Sequence, residues 1–331
     1  MTQTFDVCAL GNAIVDVIAP CDDAFLATEG LAKGAMGLID EGRAHALYGR
    51  MAAGVETSGG SAGNTVAGVA SLGGQAAYIG KVADDLLGEV FIHDIRASGV
   101  AFATSPLTGG PATARCLINV TPDGQRTMAT YLGASVALTA ADVDEAMVKA
   151  AHILYLEGYL FDPDGGRAAF ARAAGLARDA GRTVAITLSD AFVVERHREG
   201  LLAFIEAEAD LVFGNEVEIK ALYQTGDFDA AAQALGRITR IAAITRGEAG
   251  SVVVSESGVE AVSAYPLERL VDTTGAGDQY AAGFMLGLAR GKPLATCARL
   301  GSLAASEVIG HYGPRPQTAL LALAQTEGLL P

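Results

Sequence analysis

The sequence predicts an α/β fold with a largely parallel sheet, formed as a single domain over residues 1–331. Short β-like runs alternate with alanine-rich helical stretches, the pattern of parallel strands joined by helical crossovers. Half of the residues are hydrophobic (50%) and only 18% are charged, so a large buried core can form. Aromatic residues are few, at 6%, and small side chains suit helices packed closely on a sheet.

The elements can be placed in order along the chain. A strand at Phe5–Leu10 runs into a Gly-Asn pair, and a helix at Asn64–Leu72 ends at two glycines. A strand at Ala77–Ile79 and a helix at Asp85–Ala97 come next. Further strands are predicted at Ile153–Leu156, Thr183–Thr187, Leu211–Phe213, Ile241–Thr245 and Ser251–Ser255.

Two segments, roughly residues 13–40 and 112–134, break this alternation because they read as strands without helices between them. In the second segment, Ala114–Val120 and Arg126–Tyr131 flank a Pro-Asp-Gly turn at residues 122–124, which indicates a β-hairpin. We therefore expect a small β lid, assembled from both segments, over one edge of the main sheet.

Composition excludes several classes of protein. The net charge of −15 argues against a nucleic-acid partner, although backbone N–H groups can still bind a small anion. The four cysteines are far apart in the sequence, and we interpret them as reduced thiols. No basic leader precedes the apolar run at Val7–Pro20, and no run reaches the ~18 residues of a membrane span. We expect a soluble, cytoplasmic protein with no membrane partner.

The strongest signal is Asp-Thr-Thr-Gly-Ala-Gly-Asp at residues 272–278, directly before an amphipathic helix. Gly275, Ala276 and Gly277 stand where unpaired N–H groups and the positive end of the helix dipole point outward, so a phosphoryl group can approach them. Asp278 lies in the first turn and could take the proton from an attacking hydroxyl. The alternative is a glycine-rich loop with a capping aspartate, but the full string favours catalysis.

This string resembles the C-terminal signature of the ribokinase-like (PfkB) family of carbohydrate and nucleoside kinases. The family's other signature, Gly-Gly-x-x-x-Asn followed by a glycine-rich turn, is matched at residues 59–64 and 72–74. The resemblance covers nearly the whole chain, with both motifs in order. It implies a three-layer α/β/α domain with a largely parallel central sheet and a discontinuous β-sheet lid. It also implies ATP-dependent phosphorylation of a hydroxyl group.

The resemblance assigns residues to the transfer and to the phosphoryl acceptor. Asp278 matches the family's catalytic base, and Gly275, Ala276 and Gly277 match its anion hole. Together, a carboxylate, an amide and bare backbone can bind vicinal hydroxyls. The acceptor-binding residues that it implies are Asn12, Asp16, Gly59, Gly60, Asn64 and Glu157.

It also assigns residues to the nucleotide and to metal ions. Asn215 and Glu218 resemble an Asn-x-x-Glu element, in which Glu218 would act on Mg²⁺ through water. Some relatives bind a monovalent cation near Asp272 and Thr274, which leaves K⁺ open as a further cofactor. The residues implied for ATP are Asn215, Thr245, Gly247, Gly250 and Gly313.

Two further segments resemble the adenosine kinase branch of the family. They are the Gly-Asn-x-x-x-Asp at residues 11–16 and the Leu-Ser-x-x-Phe at residues 188–192. We therefore expect adenosine as acceptor and AMP as product, in a monomer or homodimer. A kinase for ribose, fructose or ketogluconate is the alternative, because Glu157 looks like a sugar-contacting ribokinase position and the lid has few aromatics to stack on a purine. A non-catalytic ligand-binding protein is a remote third possibility.

Overall fold

The computed structural model describes residues 5–331, which form two β-sheets and a set of helices. The strands are β1 (Phe5–Leu10), β2 (Ile14–Pro20), β3 (Met36–Leu38), β4 (Val55–Gly59), β5 (Ala76–Ile79), β6 (Val100–Phe102), β7 (Ala114–Val120), β8 (Arg126–Tyr131), β9 (Ala151–Glu157), β10 (Thr183–Thr187), β11 (Leu211–Asn215), β12 (Ile241–Thr245), β13 (Ser251–Ser255) and β14 (Gly258–Val262). The helices are α1 (Asp23–Thr28), α2 (Glu41–Tyr48), α3 (Ser61–Ser71), α4 (Leu86–Ala97), α5 (Glu145–Ala150), α6 (Asp164–Asp179), α7 (Ala191–Glu208), α8 (Glu216–Tyr223), α9 (Phe228–Leu235), α10 (Ala276–Ala289), α11 (Leu294–Ile309) and α12 (Leu320–Thr326).

The larger sheet has nine strands in the order β14-β13-β12-β11-β10-β9-β1-β5-β6. All pairs from β6 to β12 are parallel, and only β13 and β14 at one edge run antiparallel. The predicted strand at residues 5–10 is the interior strand β1, which pairs with β5 and β9. The expected largely parallel α/β sheet is confirmed.

Two hydrophobic layers cover the two faces of this sheet. Along β1, Val7 and Ala9 face one layer, which α3, α10, α11 and α12 complete, while Cys8 and Leu10 face the other, formed with α5–α9. Successive side chains of a strand point to opposite faces, so an apolar run of this kind suits a strand buried on both sides. The three-layer α/β/α architecture is therefore confirmed.

The second sheet is the lid, with five strands in the order β3-β8-β7-β2-β4. Strands β7 and β8 form the predicted hairpin, in which Gly124 has the left-handed φ of 81° that the turn needs. Our boundaries at 13–40 and 112–134 were too narrow, because β4 also pairs with β2. The first segment also contains a short helix, α1, which Asp22 caps by accepting the N–H of Phe25. Alternating patterns identified the strands but not this local cap.

No helix within residues 5–331 is both long and apolar enough to cross a membrane.

Candidate active site

Helix α10 begins at the glycine-rich string. Its N-cap, Gly275, has φ 80°, and a Cβ there would lie 2.7 Å from Cα of Pro314, so only glycine fits. Asp278 follows in the first turn. Its Oδ1 accepts a hydrogen bond from Ser61 Oγ at 2.6 Å, and its Oδ2 accepts one from Asn64 Nδ2 at 3.2 Å. The start of α10 therefore faces the start of α3 across the site.

The environment of Asp278 suits a group that exchanges a proton near neutral pH. Burial raises its pKa to about 6, while hydrogen bonds from Ser61 and Asn64 and the charge of Arg315 lower it. At pH 7 the carboxylate is therefore mostly ionised, yet close enough to its pKa to accept a proton. Such a pKa is the one expected of an efficient general base.

Asn12 and Glu157 form one buried unit next to Asp278. Glu157 ends β9, and its Oε1 accepts from Asn12 N (3.2 Å) and Nδ2 (2.8 Å), while its Oε2 accepts from Ala62 N (2.8 Å). Burial raises the pKa of Glu157 to about 7, whereas these three donors favour the carboxylate form. Both oxygens are occupied, so Glu157 holds Asn12 and the first turn of α3 in place. The contact of Glu157 with the acceptor stays a prediction.

Asp16, on the lid strand β2, is different because none of the described residues donates a hydrogen bond to it. It is 7% exposed, and no group within residues 5–331 hydrogen-bonds to its carboxylate. Burial raises its pKa to about 7, against the lowering effect of Arg315 and Arg126 and with a further rise from Asp278. A carboxylate in this largely buried position without protein donors has its acceptor oxygens available, so we expect it to receive hydrogen bonds from a ligand.

The predicted Gly59 and Gly60 leave room for these polar groups. A Cβ on Gly59 would lie 2.3 Å from Asp16 Oδ2, and one on Gly60 would lie 2.2 Å from the carbonyl oxygen of Asn12. Gly60 also has φ 82° as the N-cap of α3. The structure therefore brings Asn12, Asp16, both glycines and Asn64 to one place beside Asp278.

Sequence reasoning missed three polar residues of the site. Ser61 lies within the Gly-Gly-x-x-x-Asn motif at residues 59–64, but no signal in the sequence assigned it to the site. In the structure it donates a hydrogen bond to Asp278. Arg315 binds Asn64 Oδ1 through Nε at 2.8 Å, from a loop far along the chain. Arg126 is 7% exposed on β8, and its guanidinium makes no hydrogen bond within the described residues. An arginine in the predicted hairpin was the only available signal for Arg126.

Asp272 is held by protein groups. Its Oδ2 lies 3.0 Å from Arg126 Nε and accepts from Gly313 N, and its Oδ1 accepts from Thr274 N and Oγ1. This contact joins the lid to the catalytic loop. The Asp272 carboxylate is thus engaged by protein groups, and the monovalent cation that the resemblance suggested near Asp272 and Thr274 stays a prediction. Gly313, expected beside the nucleotide, donates its N–H to Asp272.

Asn215 and Glu218 form a capping box at the start of α8. Glu218 accepts from Asn215 N (2.9 Å) and Nδ2 (2.7 Å), and Asn215 Oδ1 accepts from Glu218 N. Burial raises the pKa of Glu218 to about 7. Both residues nevertheless line a cavity that they share with Thr245, Gly277 and Asp278. The predicted nucleotide residues and the predicted base therefore border one space.

The turn after β12 carries two of the residues expected to contact ATP, Gly247 and Gly250. Gly247 and Gly250 have φ of 57° and 82°, values that favour glycine. Nothing lies within 4 Å of a Cβ at Gly247, so this turn is open on its outer side. A turn of this kind beside Thr245 leaves backbone accessible to a nucleotide.

A magnesium ion carried by phosphates would fit this cavity. Within residues 5–331, no group of three or more His, Cys, Asp or Glu side chains is arranged to hold a metal. Mg²⁺ often keeps several waters and uses one or two carboxylates together with substrate phosphates. Glu218 is an oxygen donor of that type, and Asp190 lies near enough to raise its pKa.

The lid turns one apolar face towards the site. In the strand register, Ile14, Asp16 and Ile18 share a face with the opposing residues of the neighbouring strands, because directly paired residues point the same way. The charges of Asp278 and Arg315 shift the pKa of Asp16, so the face that carries Asp16 is the one directed at the site. The other apolar members of the face are Met36, Leu38, Val55, Cys116, Ile118 and Met128.

These features define an α/β phosphotransferase. The predicted base, Asp278, lies at the glycine-rich start of a helix, the Asp16 carboxylate lies near it without a donor from residues 5–331, and the lid lies across the site. The chain belongs to the pfkB family of carbohydrate kinases, whose family model matches residues 6–319. The family assignment makes it an ATP-dependent kinase.

Individual relatives cover almost the whole chain. It is 54% identical to the adenosine kinase from Sinorhizobium meliloti, whose crystal structure superposes with a TM-score of 0.91 over 98% of this chain and 99% of that one. It is 47% identical to a probable sugar kinase protein from Rhizobium etli, with a TM-score of 0.93 over 99% and 100%. It is 28% identical to the adenosine kinase of Saccharomyces cerevisiae over 94% of this chain and 97% of that one.

Proposed function

We propose that this kinase transfers the γ-phosphoryl group of ATP to the primary hydroxyl of adenosine, releasing AMP and ADP. The observation that carries the proposal is the pair of carboxylates in the site. Asp278 is oriented by Ser61 and Asn64, and Asp16 lies near enough for the two charges to interact and accepts no hydrogen bond from residues 5–331. The choice of adenosine is supported by the 54% identity to the Sinorhizobium meliloti adenosine kinase along nearly the full length.

Asp16 is proposed to bind the ribose. An ionised carboxylate only accepts hydrogen bonds, and two vicinal hydroxyls can donate to its two oxygens. Asn12 is held by Glu157 and has a side-chain oxygen without a partner within residues 5–331, so it offers a further acceptor. Glu157 acts from behind Asn12, as a positioning residue.

Asp278 is proposed to act as the base. It removes the proton of the primary hydroxyl while that oxygen bonds to the γ-phosphorus and the bond to the β-phosphate oxygen of ATP breaks. The proton then leaves Asp278 for solvent. The N–H groups at Gly275 and Gly277 are proposed to stabilise the negative charge of the transferring group. The N–H of Ala276, the third predicted donor, donates to the carbonyl of Thr273 at 3.2 Å in this structure.

Arg126 is proposed to face the phosphates from the lid. Its buried guanidinium has donors without hydrogen bonds within residues 5–331 and forms an ion pair with Asp272. Guanidinium groups bind phosphate oxygens with two donors, so phosphates entering beside the catalytic loop offer a better partner. When bound, Mg²⁺ neutralises phosphate charge. Glu218 would hold it through water, and Asn215 and Thr245 would contact the nucleotide.

The apolar lid face is proposed to cover the purine. Leu38 is 62% exposed, and Met36 and Val55 are also exposed. Exposed apolar side chains beside a polar site suit a ligand with one polar and one apolar part. Phe192, exposed at the start of α7 in the Leu-Ser-x-x-Phe segment, is the aromatic candidate for contact with the base.

The alternative acceptor is a free sugar. It is favoured by the 47% identity to the Rhizobium etli probable sugar kinase and by the 30% identity to a rice fructokinase-1 over 68% of this chain. A monovalent cation would have to use backbone oxygens of the 272–274 loop, since the Asp272 carboxylate is engaged. Cytoplasmic location, a monomeric or homodimeric state and the lack of a nucleic-acid partner stay predictions from the sequence.

The test is an acceptor panel with Mg²⁺ and ATP, containing adenosine, inosine, ribose, fructose and 2-keto-3-deoxygluconate. We expect selective turnover of adenosine, measured as ADP formed and AMP recovered. Turnover of a sugar alone would replace adenosine with that sugar. Turnover of none would contradict the proposal for these acceptors. Repeating the active reaction with K⁺ and with Na⁺ would measure cation activation.

A further inference from the structure

Arg315 lies behind the catalytic carboxylate, in the loop between α11 and α12. Its Nε donates to Asn64 Oδ1 at 2.8 Å, and its Nη2 donates to Ser58 O at 2.7 Å and to Ser58 Oγ at 2.9 Å. Asn64 belongs to α3 beside the base, while Ser58 belongs to the lid strand β4. One side chain therefore joins three parts of the molecule.

The contact with Asn64 decides which way that amide points. A guanidinium carries donors and no acceptor, so the oxygen of the Asn64 amide must face Arg315 and its NH₂ group must face away. The NH₂ group then points at Asp278 Oδ2, 3.2 Å away. Without the guanidinium, the amide could turn over and place its oxygen against the carboxylate, an arrangement that repels.

The loop that carries Arg315 is fixed independently. Gln279, fully buried in α10, donates through Nε2 to the carbonyl of Asn64 and to the carbonyl of Pro314, both at 3.0 Å. Pro314 also packs on Gly275, where a Cβ would overlap it. Arg315 is therefore held before any ligand arrives, as a positioning group must be.

The charge of Arg315 acts on the same groups. It lowers the pKa of Asp278 and that of Asp16, and the carboxylates of Asp94, Asp16 and Asp278 in turn act on the guanidinium. Other titratable groups face these aspartates. They are Glu157, Tyr155 and Tyr159, which respond to Asp278, and Arg126, which lowers the pKa of Asp16.

We propose that Arg315 is a positioning residue for phosphoryl transfer, which orients the Asn64 amide onto Asp278 and ties the lid strand β4 to the base. It acts through Asn64 and its charge. The inference rests on the proposed function, because it concerns the same transfer step.

The experiment compares Arg315→Met, Arg315→Lys and Arg240→Met in the full chain. Arg240 is an exposed arginine before β12, so its variant removes the same charge far from the site. We would measure kcat and KM from pH 5 to 9 with the acceptor that the wild-type protein uses. Thermal unfolding would give the folded fraction of each variant.

We expect Arg315→Met to lower kcat at pH 7 about 10- to 100-fold and to move the acid limb of the kcat profile to higher pH. Arg315→Lys keeps the charge but not the fork of donors, so its acid limb should stay near that of the wild type while kcat falls less. Arg240→Met should behave like the wild type. An Arg315→Met protein with an unmoved acid limb would reduce Arg315 to a structural role and overturn the inference.

A second measurement does not need turnover. With ¹³C-labelled aspartate carboxyls, the Asp278 signal is the one missing from Asp278→Asn, and it should titrate at higher pH in Arg315→Met than in the wild type. An unchanged titration would overturn the inference even if no acceptor is found. Should Arg315→Met not fold, Arg315→Gln takes its place in both measurements with the same expected direction. Failure of the acceptor panel would concern the proposed function alone.

Discussion

The start of α10 and the inner face of the lid lie opposite each other, yet they are built in opposite ways. At α10, close contacts fix each residue: Gly275 fits against Pro314, Gln279 is fully buried, and Asp278 has two donors. On the lid, Asp16 accepts no hydrogen bond from the part of the chain that the structure describes, and Leu38 is 62% exposed. At the start of α10, protein contacts already fix these side chains. On the lid, Asp16 and Leu38 are available for contact with a ligand.

This difference suggests that the start of α10 serves catalysis and that the lid serves binding of the acceptor. Catalytic stabilisation depends on dipoles and donors that need no rearrangement during the reaction, and such groups must be locked by packing. Recognition gains from surface that becomes buried only with the acceptor. Changes at α10 should therefore alter turnover, and changes on the lid should alter acceptor affinity.

The largest effect is expected from Asp278→Asn. An amide cannot accept the hydroxyl proton, so kcat should fall by about 10²- to 10⁴-fold, the usual contribution of general base catalysis. ATP affinity, measured by calorimetry, should stay within about threefold of the wild type, since a neutral isostere removes no phosphate contact. Near-normal turnover would remove Asp278 from the base role.

Gly275→Ala should be the next most damaging change. The new Cβ would meet Pro314 at 2.7 Å on a residue with φ 80°, so we expect a loss of more than about 1 kcal/mol of stability together with lower kcat. Gly277→Ala is the matched variant, since nothing lies within 4 Å of its Cβ. It should lower kcat by crowding the phosphoryl group but change the free energy of unfolding by less than about 0.5 kcal/mol. Equal destabilisation of both in chemical denaturation would contradict this account.

The pH dependence of kcat should report Asp278. The ionised carboxylate is the active form, and burial raises its pKa to about 6. Rate should therefore be near its plateau at pH 8 and fall about tenfold for each pH unit well below pH 6. A rapid kinetic assay over pH 4.5–8.5, with folding checked at each pH, measures this. A plateau that extends down to pH 4.5 would exclude a base with a raised pKa.

The smallest effect should come from the lid, with Leu38→Asn. Loss of apolar contact with the purine should raise KM for adenosine about three- to tenfold and leave kcat nearly unchanged. Val259→Asn is the control, because Val259 is 63% exposed on the distant strand β14. If Val259→Asn raised KM equally, or if Leu38→Asn lowered only kcat, the lid would not be the acceptor surface.

Much of the fold followed from the sequence. The predicted strands at 241–245 and 251–255 and the hairpin strands at 114–120 and 126–131 have the bounds of β12, β13, β7 and β8. Alternation of apolar runs with helical repeats is a local property, and glycines mark where elements end. Strand β4 was missed because its sequence, Val-Glu-Thr-Ser-Gly, has little apolar character, and it forms through pairing with β2.

For the site, the sequence by itself determined the residues whose roles depend on local backbone. The Gly-Ala-Gly-Asp string predicted a helix start with accessible N–H groups, and α10 begins at Ala276. The family and the class of reaction followed from two such motifs. Only the tertiary structure decided the residues that meet from distant segments: Glu157 behind Asn12, Arg126 against Asp272, and Arg315 on Asn64. Charges and side-chain donors act over a few ångströms of space, and a linear sequence does not state which residues share that space.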